Sequence, residues 1–155
     1  SNNFNKIIVK QFIISSACTL ECDFKEMIIL VFSTLLNNRI SPFIEKTLTE
    51  RNYHKLFNWD SHDHKGMNTF FSYFGADFKQ YMMRLTNDNL TMGQSFRDFL
   101  YIGKCRNELL HNDYLNNSLY DTLTVLDMQE KFISAYKTID FTKEHVVCYI
   151  RNGLT

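Results

Sequence analysis

The sequence predicts an all-α protein: an antiparallel helical bundle of four principal helices plus a short helix, in a single domain over residues 1–155. Three observations predict it. The chain holds one Pro and five Gly, too few tight-turn residues for an all-β sandwich. Apolar residues recur every three or four positions along nearly its whole length, which is helical periodicity. The polar breaks between these stretches are short, and short connections make neighbouring helices antiparallel. With 45% hydrophobic and 22% charged residues the composition is that of a globular domain, long enough to bury a core without disulfide or metal staples. There is no internal repeat, low-complexity tract or Pro-rich linker.

The elements follow in order. A first long helix starts near Phe4 and carries Phe24, Ile28, Val31 and Leu35 on one face. Ile7 to Ile14 is rich enough in β-branched residues to compete as a strand. Asn37-Asn38 weakens the helix, and Ser41-Pro42 reads as an N-cap followed by Pro at the first helical position. That starts a short helix to about Tyr53, and residues 58–66 are polar and loop-like. Phe71, Phe74, Phe78, Tyr81 and Leu85 step by three and four and predict one amphipathic helix, broken at Thr86 to Asn89. Thr91 with Gln94 has the form of a capping box, so the next helix begins there. It runs through Phe96, Phe99, Ile102, Cys105 and Leu109 to about His111. Asn112 to Asn117 is a turn, and Val125, Met128, Phe132, Tyr136 and Ile139 mark a last long helix.

Charge and cysteine usage bound the setting. Lys plus Arg equals Asp plus Glu at 17 each, which removes the signature of a strongly basic nucleic-acid binder and leaves local patches open. The longest apolar run, Met27 to Phe32, is far short of a membrane span, so no membrane partner is expected. No secretory leader is visible, and the opening Ser1-Asn2 without Met reads as a tag remnant or a trimmed start. Cys18 and Cys22, four apart, match neither a redox CxxC pair nor a zinc knuckle. With Cys105 and Cys148 they read as buried, reduced thiols of a cytoplasmic protein.

The chemistry concentrates in Lys104-Cys105-Arg106-Asn107-Glu108-Leu109-Leu110-His111-Asn112. Ile102, Cys105 and Leu109 form the core stripe of this helix, while Lys104, Asn107, His111 and Tyr114 form a second, polar stripe. A guanidinium, an amide and an imidazole together suit a phosphate diester. Arg grips phosphate oxygens in a bidentate fork and stabilises transition-state charge. His moves a proton to or from a ribose hydroxyl near neutral pH. The same spacing also fits an ordinary helix end, with His111 favouring the helix dipole and Arg106 paired to Asp98 or Glu108.

The helix ending Arg-Asn-x-Leu-Leu-His-Asn, inside an all-helical domain, resembles the HEPN superfamily. That signature is Arg, four to six residues, then His, with a polar residue often after the Arg; here it is Arg106, Asn107 and His111. A Phe-rich helix around Phe70 to Lys79, an apolar helix around Phe99 to Gly103 and a closing amphipathic helix resemble the prokaryotic RiboL-PSP-HEPN type. The resemblance spans residues 15–140 in architecture and is specific over 66–115. It implies a helical bundle that homodimerises so that two motifs face one cleft. It implies a metal-independent endoribonuclease that leaves 2′,3′-cyclic phosphate ends, acting in a toxin or phage-defence system. His111 would be the general acid or base, Arg106 the phosphate holder and Asn107 their support. Lys104, Tyr114 and Arg97 would bind RNA around them, and an antitoxin or regulatory protein is a further expected partner. The alternative is a non-catalytic HEPN-like module for dimerisation or ligand sensing.

One departure stands out. HEPN toxins silenced by a nucleotidyltransferase carry Tyr two residues after the His, where this chain has Asp113, with Tyr114 one further on. Glu21 and Lys25 match a Glu-x3-Lys found in some HEPN proteins but read first as a surface ion pair. His62-Asp63-His64 offers alternating metal-ligand types without the further ligands of a closed site, so no metal or cofactor is expected. The aromatic series Phe70 to Tyr81 reads as core rather than as a base-stacking platform.

Overall fold

The computed structural model describes residues 2–49, 52–61, 63–111 and 120–154. The first helix, α1 (Asn2–Leu35), buries Val9, Ile13, Ala17, Leu20, Phe24, Ile28 and Val31, a stripe stepping by three and four. Residues 7–14 are therefore helix, not strand. Cys18 and Cys22 fall between the core positions and are exposed; Cys148 is exposed too, so only Cys105 is the buried thiol the sequence led one to expect. All four are free. Burial pushes the Cys105 thiol up to about 11.

Beyond α1 the chain turns at Asn37, whose side chain accepts a hydrogen bond from Arg39 N at 2.9 Å and caps a 3-10 turn, Asn38–Ile40. This leads directly into α2 (Ser41–Ile44), with Pro42 in its first turn, and a π turn, Glu45–Thr49. The cap is thus Asn37, not Ser41, whose hydroxyl instead bonds to that of Ser33. Tyr53–Lys55 is a separate 3-10 turn. Asp63 caps another, His64–Met67, by accepting from Lys65 N at 2.8 Å.

The predicted helix through Phe71 and Leu85 is two helices, α3 (Asn68–Ser72) and α4 (Ala76–Asp88). Gly75 separates them at φ +100°, a conformation that excludes helix and favours a residue without Cβ. Next comes α5 (Leu90–His111). Its cap is Asn89, which accepts from Met92 N at 3.0 Å, so the predicted Thr91 cap lies two residues too late. The last helix, α6 (Val125–Asn152), opens with a capping box between Thr124 and Asp127.

The four long helices pack as a bundle, with no strand among the described residues. α5 is antiparallel to α1, pairing Phe24 with Phe99 and Glu21 with Arg106. It is antiparallel to α6 as well: Asp98 meets Lys131, and Tyr120, just before α6, donates to Cys105 O. α4 lies against the far half of α6, where Phe78 meets Tyr149 and Tyr81 meets His145. Thus α4 and α5 together make one pass along α6. α1 and α6 consequently run the same way, matched by Lys6 with Asp121, Phe12 with Phe132 and Asp23 with Tyr136. Phe24, Phe57, Phe70 and Phe99 make the centre of the core, with ring centroids 5.2–5.6 Å from Phe24. Edge-to-face pairs of this kind contribute roughly 1 kcal/mol each beyond area burial. Among the described residues no helix is long and apolar enough to cross a membrane.

Candidate functional site

Helical geometry decides what α5 offers at its C-terminal end. Arg106 stands four positions after Ile102 and three before Leu109, both buried, so it points into the bundle. Its side chain is only 6% exposed. Nη1 donates to Glu21 Oε2 of α1 at 3.2 Å. Nη2 lies 3.2 Å from His54 Nδ1 and 3.5 Å from His54 Nε2. Nε is buried and has no partner among the described residues.

Glu21 also meets Lys25 Nζ at 3.5 Å, and Lys25 sits over the Tyr53 ring. The Glu21–Lys25 pair is therefore more than a surface ion pair: its carboxylate anchors the buried guanidinium. Neither carboxylate expected from sequence partners Arg106. Asp98 takes Gln94 and Lys131, and Glu108 accepts from the Tyr120 hydroxyl.

Asn107 and His111 stay on the other face of α5, the former half-buried and the latter exposed. They line a groove of about 450 Å³ together with His54, Phe57, Trp59 and Asp60. Lys104 and Arg97 line a neighbouring pocket of about 370 Å³, with Tyr101, Asp98, Glu108 and Lys131. Trp59 borders both, lying across Gly103 so closely that a Cβ at 103 would come within 2.1 Å of its Cζ3. The indole is fixed from behind by Nε1 donating to His54 O at 3.0 Å.

The structure thus brings Arg106, Asn107 and His111 to one end of α5 and sets Lys104 and Arg97 on the far side of an indole. Tyr114 and Asp113 lie outside the described residues, as does the turn expected at 112–117. His62 lies outside them as well, while Asp63 is spent on capping. Among the described residues no three His, Cys, Asp or Glu side chains gather as a metal site. Phe70, Phe71 and Phe78 are buried, as core aromatics should be.

The residue missed by sequence reading is His54. It sits in a 3-10 turn with no periodicity to flag it, and its partners are distant in the chain. Burial lowers its pKa from the ordinary value, and the Arg106 guanidinium lowers it further. Glu21 opposes this, while Lys25 and His111 add to it. The imidazole is therefore neutral at pH 7. Tyr53 beneath it is held protonated by burial and by Glu21. Two imidazoles, His54 and His111, and the Asn107 amide thus line one groove, and a buried guanidinium with its carboxylate backs His54. Such a set can bind an anion and transfer protons near neutral pH. Compared with known proteins, the chain matches no family model, no curated protein and no solved structure.

Proposed function

We propose that the chain is a HEPN-type, metal-independent endoribonuclease that works as a homodimer in a toxin or phage-defence system. The observation that carries this reading is that Asn107 and His111 line a groove walled by Phe57 and Trp59, with Arg106 held behind its His54 wall. Arg106 is buried beside that groove and supplies positive charge to it. The ribose 2′-hydroxyl attacks the adjacent phosphorus, forming the 2′-oxygen–phosphorus bond and expelling the 5′-oxygen. His111 moves a proton in this step as general acid or base, and Asn107 orients the phosphate or the base. Arg97 and Lys104, past Trp59, hold a flanking phosphate. The homodimer sets two copies of the motif at one cleft, and an antitoxin or regulatory protein would act by closing it.

One observation favours the second reading, a non-catalytic HEPN-like module for dimerisation or ligand sensing: Arg106 is engaged by Glu21 of its own chain and has little exposed surface. The discriminating experiment is cleavage of mixed RNA in EDTA, with end-group analysis. The nuclease reading expects 2′,3′-cyclic phosphate ends and a dimer in solution. It expects His111→Ala and Arg106→Ala each to lose at least about 100-fold in rate. A folded dimer that leaves RNA intact supports the second reading instead.

A further inference from the structure

We infer that His54 is the phosphate-contacting residue of this site, the imidazole through which the buried Arg106 acts on a phosphate in the groove. The inference rests on the nuclease reading for its chemistry, though not for its anion site. It begins from a geometrical problem. Arg106 carries the charge a phosphodiester needs, yet its side chain is 6% exposed, and Nη1 is bound to Glu21 Oε2 at 3.2 Å. A bidentate fork on phosphate would require that pair to break.

His54 stands between the guanidinium and the groove. Its Nδ1 lies 3.2 Å from Arg106 Nη2, its side chain is 58% exposed, and it lines the groove with Asn107 and His111. Arg106 has only N–H groups to offer, and its Nη2 is nearer Nδ1, at 3.2 Å, than Nε2, at 3.5 Å, so Nδ1 accepts with its lone pair and the ring proton of the neutral imidazole resides on Nε2. Nε2 is 3.9 Å from Glu21 Oε1, too far for a hydrogen bond. That leaves Nε2–H as a donor for a non-bridging phosphate oxygen. A guanidinium donating to one side of an imidazole polarises the N–H on the other.

The charged and titratable groups around His54 suit this state. Arg106 and His111 of α5 and Lys25 of α1 disfavour a charged ring, and Glu21 of α1 alone favours it. Arg106 and His54 together thus replace the expected direct contact of arginine with phosphate. No proton leaves His54 during the reaction: it donates a hydrogen bond that tightens as charge grows on the phosphate oxygens. The proton transfers fall to His111 and water.

The test compares wild type, His54→Ala, His54→Gln and His111→Ala on an RNA dinucleotide and on its phosphorothioate, sulfur replacing a non-bridging oxygen. His54→Ala is expected to lose about 100-fold in kcat, the usual effect of removing one such donor. His54→Gln, which keeps an N–H, is expected to stay within about 10-fold of wild type. The rate penalty for sulfur should be present in wild type and gone in His54→Ala. A purely structural His54 would show neither the glutamine rescue nor the change in sulfur penalty. A binding arm separates this inference from the nuclease reading: the His54 Nε2–H resonance is followed while inorganic phosphate is added to the wild-type protein. A shift with phosphate supports the anion site even if RNA stays intact, which would sink the nuclease reading alone. Cleavage that His111→Ala abolishes and His54→Ala leaves at wild-type rate overturns the inference and keeps the reading. Neither cleavage nor a shift overturns both.

Discussion

Asp98 and Arg106 are both buried on α5, about two turns apart, each only 5% exposed, and their surroundings differ in what is left over. Asp98 accepts from Gln94 Nε2 at 3.0 Å and meets Lys131 Nζ at 3.5 Å. Lys131 is one-third exposed and rests over the Tyr101 ring, so its head group has water within reach. Charge and donors balance there. Around Arg106 one carboxylate, Glu21, faces two cations and an imidazole, and the buried Nε has no partner among the described residues. Burial of charge alone therefore marks no site on this helix. What sets the candidate site apart is the surplus of positive charge and donors around Arg106, beside an open groove.

The largest expected effect tests that contrast directly. Glu21→Gln leaves a buried guanidinium without its anion and should cost about 3 kcal/mol of folding stability. Asp98→Asn still accepts from Gln94 and returns Lys131 to water, at about 1 kcal/mol. Denaturant unfolding of the two variants measures the difference, and equal costs would erase the distinction between the two positions on α5. Gly103→Ala comes next. Its methyl would occupy the space of the Trp59 indole, an overpacking cost of about 2 kcal/mol. Near-ultraviolet circular dichroism with unfolding curves would detect displacement of the indole, and an unchanged spectrum would show that the partition between the grooves is not set there.

The smallest effect is in pH. Burial lowers the pKa of both His54 and His145, the latter beside the Tyr81 hydroxyl. The unfolded chain therefore takes up these protons first, near pH 6.5. Stability should fall as pH drops through that value and level off once the folded imidazoles are protonated too. Melting midpoints between about pH 8 and 5 measure this slope. His145→Gln should flatten one share of it and leave the His54 share at the site.

How much of this was legible in sequence varies with the range of the contacts involved. α1, α5 and α6 are visible because Phe24, Ile28, Val31 and their counterparts repeat at helical spacing over many turns. The break at Gly75 was hidden because Phe71, Phe74 and Phe78 keep helical spacing across it; the backbone turns while the rings still pack together. Asn89 closes α4 and caps α5 with one residue, leaving no loop composition to read. At the site, the cluster on α5 was legible because its members are near in sequence. The partners of Arg106 were not. Asp98 and Glu108 are the nearby carboxylates, whereas packing of α1 against α5 supplies Glu21, 85 residues away. His54, 52 residues from Arg106, comes from a turn without regular spacing.

Trp59 has an optical consequence. It is the sole tryptophan of the chain, it borders both grooves, and it hangs by a hydrogen bond from the backbone of His54. Excitation of indole therefore isolates one chromophore placed on the ridge between the two grooves. A ligand entering either one would pack on it or strip its water, and the emission would change. The molecule carries its own occupancy gauge, readable without a dye or a label.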